Sequence, residues 1–287
     1  VVAEPEEMTL PEAAEHLGVH YMTVYRYVRL GRLPATRHGS EWRVRLADVE
    51  NLRAAPGASR RGPHRGDADR TGLEQRMVAG DASGAWRLVE TRLSGGSDPA
   101  GVLTELLVPV LRSIGDRWAA GELSVGDEHR ATAVAYRLIG RLGLQFGRRG
   151  RTRGTVVLAA PSGDLHALPV TIVADLLRWR GFDVVDLGAN TPGEAIGEAA
   201  VRANRLIAVG IVSTTSGLDA KVASAVAAVR AVVPDTPILL GGAAIRSQTH
   251  AHKLGGDIWT DGEADAAVDA IDELAATRRT RLHHHPI

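Results

Sequence analysis

Asp164 and His166, two residues apart in "PSGDLHALP", are the residues of this chain best suited by type and spacing to metal chemistry. A histidine that gives one ring nitrogen to a metal is oriented, and made more basic, when a carboxylate accepts the proton on the other. Asp-x-His on one loop, here with Leu165 between, therefore offers ligand and orienter together. Alone the motif is short, and an ordinary loop histidine of a flavodoxin-like domain satisfies it too. A response-regulator phospho-acceptor at Asp164 lacks the rest of an acidic metal pocket.

A second group lies upstream in "DRWAAGELSVGDEHRA". Gly121 ends one helical pattern, and Ser124 with Asp127 three residues later forms a capping-box signature for the next. Trp118 precedes the stop by three residues and Glu128 follows the cap by four, about one turn on each side at about 1.5 Å per residue. That spacing predicts Trp118, Glu128 and His129 at one level of a helical hairpin. An aromatic plane beside an acceptor and a donor suits an adenosyl group, which offers a face for stacking and hydroxyls for bonding. The bland alternative is a core tryptophan and a solvated pair.

A third group is basic. "LGRLPATRHGSEWRV", residues 30–44, concentrates arginine and histidine in a chain of zero formal net charge. Before it, "LPEAAEHLGVHYMTVYRYVRL" reads as a helix, a turn at Gly18 and a second helix from Tyr21 to Leu30 stopped by Gly31. Val24 and Val28 lie one turn apart and face inward, which turns Thr23, Arg26 and Arg29 outward and leaves Tyr25 at the margin. Such a face suits a major groove, and a hairpin turning at Gly39 and carrying Arg37, His38, Ser40 and Arg43 suits the flanking phosphates. A merely solvated face is the competing reading. One such module makes few phosphate contacts, so tight binding needs a dimer or larger assembly.

These groups sit on three kinds of scaffold. Residues 1–53 hold the basic module. Residues 54–69, rich in Pro, Gly, Ser and Arg without apolar periodicity, read as a linker. Residues 70–150 are helical and suggest a four-helix bundle. "GVLTELLVPVLRSIG" puts Val102, Leu106, Leu107, Val110, Leu111 and Ile114 on one stripe, and the next pattern suggests Ala133, Tyr136, Leu138 and Leu142. From 151 to 287, short Val/Ile/Leu runs alternate with helical stretches: "TVVLAAP", "FDVVDLG", "LIAVGIVST", "PILLGGAA". That alternation predicts a parallel sheet covered on both faces, with ligands at its carboxyl edge, where the Asp164 loop begins. The expected fold class is a multidomain α plus α/β chain: a winged helix-turn-helix, a bundle, and a Rossmann-like, flavodoxin-like domain.

Composition narrows the chemistry further. Zero cysteines exclude disulfides, zinc ribbons and thiol nucleophiles. The acidic beginning "VVAEPEEMTL" and the lack of a long apolar run predict a cytoplasmic protein that binds no membrane. The "LHHHPI" end is given no role.

With these residues in place, resemblances add to the reading. Residues 8–52, including "GRLPA" and "RVRLADVENL", resemble the excisionase/MerR class of winged helix-turn-helix, with His20 where that class usually has a Ser or Thr cap, a change worth about 1 kcal/mol. Residues 152–275 resemble the cobalamin-binding domains of methionine synthase, corrinoid mutases and the CarH/LitR regulators. The matching residues are Asp164 and His166, "GFDVVDLG" at 181–188, "STTSG" at 213–217 and "GG" at 241–242. The resemblance implies His166 as the lower axial ligand of cobalt, Ser213 and Thr215 bonding the nucleotide tail, and Gly241 and Gly242 letting backbone approach it. Pro169 departs from the motif's glycine; a proline is tolerated at a helix start but could obstruct the tail.

Trp118, Glu128 and His129 resemble the Trp-x9-Glu-His signature of CarH-type photoreceptors, and the three-part order is similar over nearly the whole chain. That resemblance implies a non-enzymatic transcriptional repressor holding adenosylcobalamin between bundle and α/β domain. In the dark a homotetramer would bind operator DNA; light would cleave the cobalt-carbon bond and release it. Ala119 stands where some such proteins carry a second, upper histidine, which implies a less stable light state. Two alternatives stay open: a corrinoid carrier subunit of a methyltransferase, and a DNA-binding sensor of another ligand such as a tetrapyrrole.

Overall fold

A computed structural model of the 287-residue chain describes residues 7–17, 21–29, 33–38, 41–54, 65–147, 150 and 152–283. They form two compact units, residues 1–64 and 65–287.

In the first unit, β1 (Glu7–Thr9) leads into α1 (Leu10–Leu17) and α2 (Tyr21–Arg29), followed by β2 (Thr36–His38), β3 (Glu41–Arg45) and α3 (Leu46–Ala54). The strands make an antiparallel sheet ordered β1-β3-β2, with Arg37 opposite Trp42. Val24 is buried with Leu10, Ala13, Leu33, Val44 and Val49, and Val28 packs against that cluster. Helix α2 includes Thr23, Arg26 and Arg29, and β2 ends at His38. Those four side chains, and Gly18, His20, Leu30, Gly31, Gly39 and Ser40 entirely, lie outside the described residues.

The second unit opens with α4 (Arg65–Ala79), α5 (Ala82–Ser94) and α6 (Pro99–Val102), then a π-helical turn (Leu103–Leu107), α7 (Val108–Ala119) and α8 (Val125–Gly143). Residues 65–69, expected in the linker, are thus helical. Arg70, whose Nε donates to the Glu105 carbonyl at 3.0 Å, and buried Leu73 and Met77 dock α4 on its neighbours, which extends the helix upstream. The expected stripe through Ile114 is buried apart from half-buried Leu111, and the π turn adds Leu103 to it. On α8 the buried residues are Ala131, Val134, Ala135, Leu138, Ile139 and Leu142, whereas Ala133 and Tyr136 are exposed. The reason is helical phase: Tyr136 lies two residues, about 200°, from Leu138, so both cannot face one core.

The α/β part comprises β4 (Thr155–Ala159), α9 (Leu168–Trp179), β5 (Asp183–Asp186), α10 (Gly193–Arg202), β6 (Leu206–Val212), α11 (Asp219–Val232), β7 (Ile238–Gly241), α12 (Gln248–Lys253), β8 (Ile258–Trp259) and α13 (Ala264–His283). All five strands are parallel, ordered β5-β4-β6-β7-β8. Successive residues of β4 serve opposite faces: Val156 and Leu158 join the core under α9 and α13, Val157 and Ala159 that under α10 and α11. The first core runs without a break into the bundle. Phe146 meets Trp179 edge-on at 6.0 Å, and the Arg112 fork of α7 reaches Glu263 (2.5 Å) and the Gly262 carbonyl (3.2 Å) beyond β8. Among the described residues no helix is long and apolar enough to cross a membrane.

Candidate functional site

Strand order reverses between β4 and β6, and the loops that leave their carboxyl ends meet there, where open α/β sheets bind ligands. The loop after β4 carries Asp164-Leu165-His166. Asp164 is fully buried, with a carboxylate satisfied from several directions. Its Oδ2 accepts the Thr214 and Thr215 amides at 2.6 and 3.0 Å. Its Oδ1 accepts the His166 amide at 3.1 Å, the Thr215 hydroxyl at 3.3 Å, and the His166 ring Nδ1 at 2.8 Å. Burial alone raises this carboxyl, but the Thr215 and Thr214 amides together with His166 outweigh it, and the group is held below the usual aspartate range.

An ionised Asp164 keeps the proton of His166 on Nδ1, which makes Nε2 the lone-pair nitrogen, and Nε2 has no partner among the described residues. Leu165 is exposed beside it. This is the donor arrangement of a metal-ligating histidine with its orienting carboxylate. Pro169 occupies the first turn of α9, where its missing N–H breaks no helical bond.

Behind this loop, Ser213 is also fully buried, and its Oγ has no hydrogen-bond partner among the described residues. A buried hydroxyl without a partner is costly, so it marks a place for a polar group of a ligand. Gly241 and Gly242 adjoin it: the Ser213 amide bonds the Gly241 carbonyl at 2.9 Å. A Cβ on Gly242, whose φ is +93°, would lie 2.3 Å from the Ser213 carbonyl, and one on Gly241 2.4 Å from Thr260 Oγ1. The chain's own packing thus demands glycine here. The unpartnered hydroxyl and the free Nε2 are the features that fit a corrinoid with a nucleotide tail.

The bundle hairpin is built as its sequence suggests. Gly121 adopts φ +76°, and Ser124 and Asp127 cap each other's amides at 3.2 and 3.0 Å. Glu74 on α4 accepts Ser113 Oγ at 2.7 Å and also Arg117, which fixes the last turn of α7 where the exposed Trp118 stands. Glu128 is held between the Thr132 hydroxyl (2.7 Å) and His129 Nδ1 (2.6 Å). The structure therefore joins Glu128 to His129 and Asp164 to His166 and Thr215. Among the described residues no hydrogen bond links Trp118, Glu128 or His129 to the Asp164 loop.

Several residues were missed from sequence. Thr214 contributes only a backbone amide, which carries no side-chain signal. Asn190 bonds the Asp164 loop from the loop after β5. His250 on α12 reaches Asp219 at 3.1 Å and ties α12 to the start of α11, the helices that follow the loops carrying Gly242 and Ser213. In the first unit, Arg37 is exposed with its guanidinium 5.9 Å from the Trp42 ring centre, Arg43 is half-buried, and the Tyr25 ring stacks on Tyr21.

Comparison with known proteins finds similar sequences along all three segments. Residues 70–142 and 154–272 each match a family described as B12 binding domain, and residues 7–55 match a helix-turn-helix domain. The chain is 24% identical over 206 residues to a protein named monomethylamine corrinoid protein 2 of Methanosarcina acetivorans, covering 70% of this chain and 94% of that one. It is 32% identical over 182 residues to a protein named HTH-type transcriptional repressor CarH of Myxococcus xanthus, covering 62% and 58%. The solved monomethylamine corrinoid protein of Methanosarcina barkeri shares the fold, with a TM-score of 0.59 at 19% identity over 70% of this chain and 95% of that one. The chain thus joins a helix-turn-helix segment to corrinoid-binding domains.

Proposed function

We propose that the chain is a corrinoid-dependent, light-responsive repressor that holds adenosylcobalamin and binds operator DNA as an oligomer, a tetramer in the dark. The observation that carries this reading is the buried Asp164 carboxylate, anchored by the Thr214 and Thr215 amides and fixing the His166 ring, whose Nε2 has no partner among the described residues. In it, His166 would hold the cobalt of the cofactor through Nε2, with Leu165 beside it. Ser213 and Thr215 would bond the tail, and Gly241 and Gly242 would leave room for it. Trp118 would offer its exposed ring to the adenosyl group, and Glu128 and His129 would bond its hydroxyls. When bound, the cofactor supplies a cobalt-carbon bond that light breaks.

The first unit supplies DNA contact through Thr23, Tyr25, Arg26 and Arg29 of α2 and Arg37, His38, Ser40 and Arg43 of a wing. A ligand bound only by the assembled form adds its binding free energy to assembly, and its removal withdraws it. The chain turns over no substrate in this scheme and acts in the cytoplasm.

The test is purification with adenosylcobalamin in darkness, then a visible spectrum, size-exclusion chromatography and operator binding before and after green light. Expected are an imidazole-ligated dark spectrum lost in His166→Ala, a smaller species after light, and loss of DNA. A second reading, a corrinoid carrier for methyl transfer, is favoured by the similarity over 94% of the monomethylamine corrinoid protein. The helix-turn-helix segment has no task in such a carrier. Methyl transfer with a partner methyltransferase, without light-dependent DNA binding, would select it.

A further inference from the structure

Asn190 lies on the loop between β5 and α10 with φ +53°; among the described residues the only other non-glycine in this region of backbone is Arg205. Left-handed backbone favours glycine, and asparagine is the side chain that tolerates it best. Glycine would be the simplest residue here, so the side chain needs its own reason. Its Oδ1 accepts the Gly163 amide at 2.8 Å, while the Asn190 amide donates to the Asp164 carbonyl, also at 2.8 Å. One residue thus grips the chain on both sides of the Asp164 Cα. The grip continues a short zipper: the Ala160 amide bonds the Gly188 carbonyl at 2.8 Å, and the Thr191 amide bonds the Ala160 carbonyl at 2.9 Å. It is also the zipper's outermost rung, farthest from the sheet and nearest to His166.

We infer that Asn190 is a positioning residue for the His166 imidazole: its side-chain oxygen fixes Gly163, hence the direction in which Asp164 presents its carboxylate to the ring. The inference rests on the reading of His166 as the cobalt ligand. Asp164 receives Thr214 and Thr215 from behind and His166 in front, so a backbone rotation at 163–164 must loosen either the amides or the ring. The two amides sit half-buried against a fully buried carboxylate whereas the ring is 54% exposed, so the ring is the partner that yields.

The test compares Asn190→Gly, which keeps the left-handed backbone and its amide but deletes the acceptor, with Asn190→Asp, which keeps an acceptor oxygen. In cofactor-free protein, amide exchange across residues 162–167 should quicken about two- to tenfold in Asn190→Gly, as for one hydrogen bond lost. Peptides of α11 should not change, and the melting temperature should confirm an intact fold. With adenosylcobalamin kept dark, the ratio of imidazole-ligated to water-ligated spectrum should fall by a similar factor. Asn190→Asp should restore both readouts. Parental exchange and spectrum in Asn190→Gly would overturn the inference, as would an aspartate that fails to rescue. A parent chain with no His166-dependent spectrum would instead sink the corrinoid reading, and the exchange arm would still decide whether Asn190 holds the loop.

Discussion

The ring Nδ1 of His166 lies 2.8 Å from Oδ1 of Asp164, and the two side chains differ completely in environment: the carboxylate is 0% exposed and the imidazole 54%. The acid is part of the core and the base is part of the surface. Substitutions at the two positions should therefore separate stability from ligation.

Asp164→Ala empties a fully buried position and takes the shared acceptor from the half-buried Thr214 and Thr215 amides. A buried group deprived of its partner costs roughly 1–3 kcal/mol, so the loss should be about 3 kcal/mol in urea unfolding. His166→Ala leaves every amide bond in place and should cost less than about 1 kcal/mol. Equal losses would show that the ring, not the carboxylate, supports the loop.

The pH dependence of stability has two opposed contributions. Burial raises the Asp164 carboxyl, the Thr215 and Thr214 amides and His166 lower it by more, and its net value is depressed. Its stabilisation is present above the unfolded value of about 3.9 and is lost as pH falls through the lower folded value. Unfolding midpoints should show the gap between the parent and Asp164→Asn constant from neutral pH down to about pH 5 and closing below about pH 4.

Asp175 behaves in the opposite sense. Burial against Gly143 of α8 raises its carboxyl, Arg178 lowers it in part, and Asp186 raises it further. The ionised form weakens the fold above that raised value. Asp175→Asn should be more stable than the parent at pH 7 to 8, and the advantage should shrink as pH falls through the raised folded value and vanish below the unfolded value of about 3.9. A variant less stable than the parent at pH 8 would mean that the Arg178 pair outweighs burial.

Two glycines should respond with opposite signs. Gly115, inside α7, has open space where a Cβ would go, so Gly115→Ala should gain about 0.5–1 kcal/mol in thermal unfolding. Gly242→Ala forces a Cβ against the Ser213 carbonyl in left-handed backbone and should lose about 1–3 kcal/mol.

Trp118 is 47% exposed, so Trp118→Ala should barely move the unfolding midpoint. If the indole stacks on the adenosyl group, preference for adenosylcobalamin over hydroxocobalamin should fall about two- to tenfold by titration, the worth of one aromatic contact. With Ala119 beside it, illumination should not give a bis-imidazole spectrum, and Ala119→His should create one.

For DNA, Arg37 is the test position because it is exposed and braced against Trp42. Arg37→Ala should weaken binding similarly for all sequences and reduce the slope of log affinity against log salt by about 0.9, one phosphate contact.

Where local periodicity governs, the chain could be read directly. The runs at 155–159, 183–186, 206–212 and 238–241 are strands, and Gly121, Ser124 and Asp127 close the hairpin where their types require. Two apolar residues on α8 were placed on the wrong side. Ala133 and Tyr136 are exposed because phase, not hydrophobicity, assigns a helix face, and the buried set counts back from Leu142 in steps of three and four. The two-residue strand β8 and the six-residue helix α12 before it carry too little pattern to be read in advance.

The sequence by itself determined the element types and the Asp164–His166 pair, because both depend on residues a few positions apart whose relation is set by 3.6-fold, twofold or loop geometry. Only the tertiary structure decided that the Asp164 carboxylate would be capped by Thr214 and Thr215, some 50 residues on, and its loop held by Asn190. Those bonds exist because β4 lies between β5 and β6 in the sheet. Strand order is a property of how buried faces pack across the whole chain, and backbone amides, which every residue but proline carries, leave no mark in the sequence of where they will be needed.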